Sequence, residues 1–346
     1  MQAGHEAQLR MTRQDVVVRT PQGLYCPAGD FHIDPWRKVE RAVITHAHAD
    51  HARAGHGSYL CARSGVGVLR ARLGPVDVRG LAWGERISTG RAHVSLHPAG
   101  HILGSAQVRI EVDGQVWVVA GDYHLSVDGD VNPTCEPFEA VRCHCFVTEA
   151  TFGLPVYRWP RHAQVYADID AWWQANARAG EASVVGAYSL GKTQHVLAGV
   201  DASIGPLYAH PAATGINEAH RAEGVALPPV RPWEELSDAR ALAGALIVAP
   251  PNALAPWRWQ RQVPVREAFA SGWMQVHAAR HRAGLDRGFV LSDHADWPGL
   301  LAAVVATGCE RVVVTHGDEA VLARALAERG LQVSTFRTAY GDDGSA

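Results

Sequence analysis

The chain has 346 residues, enough for one large domain or two smaller ones with a substantial buried core. Hydrophobic residues make up 47% and charged residues 19% of it, which excludes a disordered chain and favours a compact globular enzyme. The formal net charge of −3 excludes a global positive field that would attract a polyanion. Lys38 and Lys192 are the only lysines, so arginine carries nearly all the positive charge, through either genomic base composition or recognition of phosphate.

The N-terminal residues and the cysteines bear on where the protein works. Residues 1–13 are polar, and no apolar run approaches the length of a membrane span. None of the six cysteines forms a CxxC pair. We therefore expect a cytoplasmic protein with free thiols and no membrane partner.

Five short apolar runs along the chain end abruptly in residues that can ligate metals. Residues 42–44 run into His46, residues 116–120 into Asp122, residues 146–147 into Glu149, residues 289–291 into His294 and residues 312–314 into His316. Short runs rich in β-branched residues predict buried strands. Because reacting groups collect at the carboxyl ends of strands in layered α/β proteins, we expect these endings to form one shared site.

Helical patterns lie between the predicted strands. Residues 164–179 are amphipathic and stop at Gly180, and residues 319–329 stop at Gly330, since glycine is a common helix stop signal. The middle of the chain, roughly residues 155–288, has a strand–helix alternation of its own. The sequence therefore predicts an α/β protein.

The densest group of candidate ligands is the run Thr45-His46-Ala47-His48-Ala49-Asp50-His51. Imidazole and carboxylate are preferred ligands of zinc, manganese and iron, and alanine spacers let the loop close tightly around an ion. One loop cannot complete two coordination shells. Further candidates are His101, which has glycines on both sides, and the strand-end residues Asp122 and His316.

The order of the motifs resembles a known family. HAHADH, AGHILGSA, GDY, TEATFG, SDHADW and VTHGDE, in that order, are similar to the motifs of metallo-β-lactamase-fold nucleases with a β-CASP insertion. This family includes Artemis-like DNA nucleases, ribonuclease J and the pre-mRNA 3′-end endonuclease. The resemblance spans about residues 43–318. The segments LYCPAGDFHIDPW, TEATFGLP and GFVLSDHADWPGL look most like the bacterial ligase-associated DNA exonucleases.

The resemblance implies a fold and a domain arrangement. It implies a four-layer αββα metallo-β-lactamase sandwich formed by residues 1–154 and 288–346. Residues 155–287 would form an inserted α/β β-CASP domain that acts as a lid.

The resemblance also implies roles for individual residues. One of two divalent ions, zinc or manganese, would be held by His46, His48 and His101, the other by Asp50, His51 and His316, with Asp122 bridging them. A hydroxide activated by both metals would attack phosphorus. Asp50, Glu149 and His294 would be catalytic, with Glu149 orienting His294 for general-acid or charge-stabilising work. Asp34 would orient the histidine loop, although Asp30 competes for this role.

Substrate contacts are expected from the insertion. Lys192 lies in the turn YSLGKTQ, where a helix N-terminus offers amides to phosphate, although such a turn is also ordinary helix entry. Arg280 and Arg282 are the other predicted phosphate contacts. Residues 257–273 interleave tryptophan with arginine, which indicates either a single-strand binding surface or a tryptophan-rich core with a basic rim.

The implied function is a DNA exonuclease of DNA repair that prefers single strands and is associated with a DNA ligase and a helicase. A ribonuclease remains the alternative within the family, because composition does not choose DNA over RNA. Two further classes stay open: a thioester or lactam hydrolase, against which the insertion argues, and a silent binding module, against which the complete ligand set argues. The sequence leaves open the metal, the polarity of cleavage, exonuclease against endonuclease action, and the oligomeric state.

Overall fold

A computed structural model describes residues 15–232, 236, 242–253, 264–276 and 285–336. Within these ranges the protein is a mixed α/β structure with three β-sheets. The helices are α1 (Val66–Leu73), α2 (His162–Arg178), α3 (Lys192–Gly199), α4 (Thr214–Ala222), α5 (Trp297–Thr307) and α6 (Glu319–Ala327).

The first sheet has six strands that are neighbours in chain order. They are β1 (Val18–Thr20), β2 (Gly23–Cys26), β3 (Phe31–Ile33), β4 (Arg41–Val43), β5 (Ser58–Ala62) and β6 (Val78–Leu81). β1 to β3 are antiparallel, and β3 to β6 run parallel to one another.

The second sheet has seven strands in the order β18-β17-β11-β10-β9-β8-β7. They are β7 (Ile87–Thr89), β8 (Ala92–Pro98), β9 (Ala106–Val112), β10 (Gln115–Val119), β11 (Cys145–Ala150), β17 (Arg311–Gly317) and β18 (Gln332–Phe336). The half of the sheet from β10 to β18 is parallel. The carboxyl ends of β10, β11 and β17 therefore meet at one edge.

These two sheets pack face to face, and helices cover their outer faces. A buried cluster that includes Ile33, Val43, Val108 and Val147 lies between the sheets. Leu300 of α5 and Leu322 of α6 pack on the far side of the second sheet. Leu69 of α1 and Ile216 of α4 pack on the far side of the first. In the part of the chain that the structure describes, the layers run helix, sheet, sheet, helix.

The third sheet is parallel, in the order β13-β14-β12-β15-β16. Its strands are β12 (Ala182–Gly186), β13 (Leu207–Ala209), β14 (Leu246–Ala249), β15 (Val265–Ala270) and β16 (Arg287–Phe289). Helix α2 packs on it through Val165, Ile169 and Trp173, whose four-residue spacing places them on one helical face. The division into domains remains a prediction, and the third sheet itself continues two residues past the predicted boundary at 287.

Four of the five predicted strands are confirmed as β4, β10, β11 and β17. The fifth strand forms as β16 but ends at Phe289, two residues earlier than predicted, because the amide of Leu291 donates to the carbonyl of Phe289 and turns the chain out of the sheet. The five strand endings belong to three sheets. All six cysteines are free thiols. Among the described helices, none has both the length and the hydropathy that a bilayer span requires.

Candidate metal centre

The predicted ligands come together where the carboxyl ends of several strands meet. The histidine loop, residues 46–51, follows β4, His101 follows β8, and Asp122 follows β10. Glu149 lies near the end of β11, His316 near the end of β17, and His294 follows β16. Each strand therefore delivers a polar side chain directly after a buried apolar run, which is how the predicted pattern arises in three dimensions.

Three histidines and Asp122 form the first ligand group, with one ligand atom of each within 4.8 Å of all the others. The Nδ1 of His48 lies 3.0 Å from the Nε2 of His46 and 3.1 Å from the Nε2 of His101. The Oδ2 of Asp122 lies 3.4 Å from the Nε2 of His46. Ligand nitrogens around a tetrahedral zinc ion lie about 3.3 Å apart, given Zn–N bonds of about 2.0 Å. The spacing of this group fits a metal ion.

The backbone fixes which ring nitrogen of His48 and His101 faces this group. The Nε2 of His48 lies 3.2 Å from the carbonyl oxygen of Leu190, and the Nδ1 of His101 lies 2.7 Å from that of Asp293. A carbonyl oxygen only accepts, so each of these nitrogens carries the proton. The other two nitrogens are then bare lone pairs that face each other at 3.1 Å. Such lone pairs repel unless a cation lies among them.

Asp34 orients two histidines: His51 directly, and His46 through Thr45. Its carboxylate accepts from the Thr45 amide at 2.8 Å and from the Thr45 hydroxyl at 2.6 Å. The Nδ1 of His51 donates to it at 2.7 Å. Because the Thr45 hydroxyl gives its proton to Asp34, it accepts from the Nδ1 of His46, which is 3.1 Å away. Both rings thus turn Nε2 towards the ligand groups.

Asp50, His51 and Asp122 form the second ligand group, so Asp122 belongs to both. The Nε2 of His51 lies 3.3 Å from Asp122 Oδ2 and 3.6 Å from Asp50 Oδ2, yet it is a buried atom that hydrogen-bonds to neither. His316 joins through its Nε2, which lies 3.7 Å from Asp50 Oδ2. Two carboxylates and two imidazoles this close together fit a second ion.

The protonation of the histidines differs between the two groups. Burial lowers the pKa of His46 and His101 well below the ordinary value of 6.5, so both rings are neutral and ready to ligate. Burial also opposes the charged form of His51, but the Asp122 and Asp50 carboxylates outweigh it and raise the pKa of His51 well above 6.5. A metal ion entering the second group must therefore displace a proton from His51.

Glu149 and His294 form a third group with Asp122. The Nδ1 of His294 lies 2.9 Å and 3.1 Å from the two carboxylate oxygens of Glu149. The indole of Trp159 donates to the carbonyl of His294 at 2.8 Å. Burial disfavours the charged ring, but Glu149 and Asp122 outweigh it and raise the pKa of His294 to about 9. A protonated imidazole beside the ligand groups can donate a proton or stabilise negative charge.

Two of the site residues have a strained backbone. Asp34 has φ 44° and His316 has φ 62°, a left-handed conformation that non-glycine residues adopt rarely and that is concentrated at functional sites. Asp30, which competed with Asp34 in the sequence, also has a positive φ, but its side chain is exposed and pairs with Arg41 away from the ligand groups. Asp34 is the aspartate that contacts the histidine loop.

A small pocket of about 50 Å³ lies beside the second ligand group. Its polar lining includes Asp50, His51, Asp122, Glu149 and His316, and its apolar lining includes Leu24, Ile33 and Trp36. The second group therefore borders unfilled space on this side.

Lys192 is not placed as the sequence predicts. Its side chain is only 7% exposed, and its Nζ lies 2.8 Å from Asp293 Oδ2. At the start of α3 the amide of Gly191 is also occupied, because the side chain of Gln194 accepts from it at 2.7 Å. The prediction that Lys192 offers its charge to phosphate is wrong, since the buried carboxylate of Asp293 pairs with it.

The other predicted phosphate contacts, Arg280 and Arg282, lie outside the described residues, as do Trp257 and Trp259. Trp273 is described and is 38% exposed. Arg266 pairs with Glu181 at 2.8 Å.

Sequence reasoning missed three contributors to the site. Thr45 and Asp293 stand beside predicted site residues and inside the motifs, and their polar side chains next to a ligand could have indicated a supporting role. Asp293 is not the cap of the following helix, because the Asp296 side chain accepts from the third residue of α5. Leu190 acts only through its carbonyl, which leaves no side-chain signal.

Comparisons with known proteins agree with a mixed α/β fold. No family model matches the chain. A curated protein from Opitutus terrae, described as a probable DNA ligase, is 33% identical over 320 residues, and the alignment covers 91% of this chain. The chain spans only 30% of the length of that relative. A crystal structure of a protein of unknown function from Enterococcus faecalis V583 matches 91% of this chain and 82% of its own, with a TM-score of 0.57 and 12% identity, which is a likeness of fold alone.

Proposed function

We propose that the chain is a two-metal phosphodiesterase of the metallo-β-lactamase fold with a β-CASP insertion, and that it degrades DNA as an exonuclease. The observation that carries the proposal is the position of Asp122, whose Oδ2 lies 3.4 Å from His46 Nε2 and 3.3 Å from His51 Nε2. A carboxylate shared by two ligand groups fits a pair of divalent cations, zinc or manganese. The helix–sheet–sheet–helix layers and the separate third sheet support the same fold.

The chain's own residues have distinct tasks in this proposal. Two bound cations would supply an activated water nucleophile and would neutralise charge on the phosphoryl oxygens. Asp34 holds His46 and His51 so that their Nε2 atoms face the centre. Glu149 keeps His294 protonated, and His294 gives its proton to the leaving oxygen.

The choice of DNA is supported by the relative from Opitutus terrae, which is described as a probable DNA ligase. We do not extend ligation to this chain, which spans 30% of that protein and whose site has the composition of a metal-dependent hydrolase. A nuclease that works beside a ligase and a helicase in DNA repair fits both observations.

A preference for single strands is supported by exposed aromatic rings beside the centre. The ring of Trp273 lies 4.7 Å from that of Phe152, which lies 5.9 Å from that of His294. Tyr188, 41% exposed, follows β12, and Trp273 follows the neighbouring parallel strand β15, so both lie at the same edge of the third sheet. Nucleobases stack on such rings only when they are unpaired.

One cleavage experiment tests the proposal. Protein loaded with zinc or manganese is incubated with single-stranded DNA and RNA of one sequence, labelled at each end in turn, and with circular single-stranded DNA. We expect DNA to shorten progressively from one end while the circle stays intact. Asp122→Ala, purified in the same way, controls for a contaminating nuclease.

Each other outcome changes the assignment. Degradation of RNA alone identifies a ribonuclease, and fragments from the circle identify an endonuclease. If both nucleic acids stay intact while a thioester or a lactam is hydrolysed, the nuclease proposal fails. Elemental analysis should find about two equivalents of transition metal per chain, and a single ion at full occupancy would refute the paired centre.

A further inference from the structure

Two backbone carbonyls support two histidines of the first ligand group, one in the segment at residues 188–195 and one at Asp293. The carbonyl of Leu190, in this segment, lies 3.2 Å from the Nε2 of His48. The carbonyl of Asp293 lies 2.7 Å from the Nδ1 of His101. In each histidine, the contact with the carbonyl determines which ring nitrogen faces the ligand group.

The side chain of Asp293 is held by two residues of α3. The Nζ of Lys192 lies 2.8 Å from Oδ2, and the Nδ1 of His195 lies 2.5 Å from Oδ1. All three side chains are buried. The side-chain amide of Asn132 donates to the His101 carbonyl at 2.9 Å and lies 3.5 Å from Asp293 Oδ1, so the carboxylate and the His101 turn share a contact.

A buried carboxylate is stable only when it is paired and hydrogen-bonded, and removing one partner leaves an uncompensated charge. Lys192 supplies the ammonium for Asp293, and His195 supplies a further donor. Without Lys192, the Asp293 carboxylate is driven to move towards water. Its backbone carbonyl would move with it, and His101 would lose the acceptor that fixes its ring.

We infer that Lys192 and His195 are positioning residues for the metal centre. By holding Asp293, they keep its carbonyl on His101, so the part of the chain that carries the third sheet helps to build the first ligand group. This inference rests on the proposed function only in taking the first ligand group to bind an ion. It does not depend on the substrate or on cleavage.

The test is a metal titration of the Lys192→Met variant, which removes the charge and keeps an apolar chain of similar length. Metal-free protein is titrated with cobalt(II), and both the number of ions bound and the visible absorption are recorded. The wild type should bind two ions tightly. Lys192→Met should keep one, and the Kd of the other should rise about ten- to a hundredfold, as expected when a contact to a ligating histidine is lost.

A matched control is Arg266→Met. It removes a cation from another ion pair of the third sheet, that of Arg266 with Glu181, near the start of β12 and β15. This variant should bind two ions like the wild type. A purely structural role of Lys192 would lower the Tm of Lys192→Met and leave its metal binding equal to that of Arg266→Met.

The double variant Lys192→Met/Asp293→Asn provides a rescue. It leaves no unpaired carboxylate and keeps the backbone carbonyl for His101, so its second ion should bind more tightly than in Lys192→Met. If Lys192→Met does not fold, His195→Phe, which keeps the ring and removes the donor to Asp293, must also weaken one ion. Two tight ions in a folded Lys192→Met or His195→Phe protein would overturn the inference.

The wild-type result separates this inference from the proposed function. A wild type that binds two ions and leaves DNA intact would refute the nuclease, while the titrations would still decide the role of Lys192. A wild type that binds no ion would overturn both.

Discussion

Asp34 contacts Thr45 with both oxygens of its carboxylate: Oδ1 accepts from the Thr45 amide at 2.8 Å and Oδ2 from the hydroxyl at 2.6 Å. Oδ2 also accepts from the Nδ1 of His51 at 2.7 Å, so one side chain orients histidines of both ligand groups.

The Asp34→Asn variant should therefore bind both metals more weakly. An amide offers one acceptor oxygen, so it cannot accept on both sides, and we expect the Kd to rise about ten- to a hundredfold for each ion. Competition between the protein and a zinc chelator measures the Kd of each ion. Asp30→Asn is the control, because Asp30 pairs with Arg41 at the surface and should have no effect. Equal affinities in the two variants would contradict the orienting role.

Asp122 and His294 should separate metal binding from proton transfer. Asp122→Ala removes the carboxylate shared by both ligand groups and should lose metal together with activity. His294→Ala should keep both ions and lower kcat about 10²- to 10⁴-fold, the range for loss of a general acid. Metal content and kcat are measured on the same preparations. If His294→Ala loses as much metal as Asp122→Ala, this division is wrong.

The gain in Tm on adding metal should grow as the pH rises. In the metal-free protein, burial opposes the charge on His51, but Asp122 and Asp50 raise its pKa well above 6.5. A raised pKa stabilises the metal-free fold at pH values below the unfolded pKa, and this stability is lost as the pH rises through the folded pKa. The metal-bound protein gives up that proton. Melting curves at pH 6 and pH 8, with and without zinc, test this, and a gain that does not change with pH would contradict it.

We expect glycine to be required at position 121 for two reasons: its positive φ, and the close approach of the Thr45 side chain. It has φ 61°, and an added Cβ would lie 2.6 Å from Thr45 Oγ1. Gly114 has φ 77°, and an added Cβ would meet nothing within 4 Å. Alanine at either position should cost about 1–3 kcal/mol of unfolding free energy through backbone strain.

Only Gly121→Ala should also weaken zinc binding, because it displaces the threonine that orients His46. Urea unfolding of the metal-free variants and zinc titration measure the two effects. Equal zinc affinity in Gly121→Ala and Gly114→Ala would show that this contact does not support the centre.

Asp122 and His316 could be found in the sequence because each follows a short run of valines. The valines of β10 and β17 indicate that these strands are buried, and Asp122 and His316 lie close to those runs in the sequence. Because the fold brings these strand ends together, the order of the motifs along the chain was enough to predict a shared site. The loop at residues 46–51 was easier still, since its ligands are neighbours in sequence.

The role of Lys192 could not be predicted, because it depends on a partner far along the chain. A lysine after a glycine turn has the same local sequence whether it faces solvent or a buried carboxylate. Only the packing of α3 against the segment that follows β16 brings Lys192 to Asp293. The same limit applies to Leu190, whose carbonyl contact with His48 depends on the tertiary fold alone.

Trp273 should bind substrate by stacking on a base rather than by filling apolar space. Its ring lies 4.7 Å from that of Phe152, which in turn lies 5.9 Å from that of His294. The tryptophan is 38% exposed. Trp273→Leu keeps an apolar side chain without a flat π face, whereas Trp273→Phe keeps the face. Stacking of one base contributes about 1–3 kcal/mol, so Trp273→Leu should raise KM for single-stranded DNA about 5- to 150-fold with little change in kcat, and Trp273→Phe much less.

The salt dependence of binding provides the second readout for Trp273. Phosphate contacts release counterions, and with a few of them the slope of log K against log salt should be about −2 to −4. Trp273 carries no charge, so Trp273→Leu should lower affinity by a similar factor at every salt concentration and leave the slope unchanged. Steady-state kinetics and fluorescence anisotropy with a labelled single strand provide both measurements. If Trp273→Phe and Trp273→Leu bind DNA equally well, Trp273 is a packing residue, and the single-strand preference must come from elsewhere.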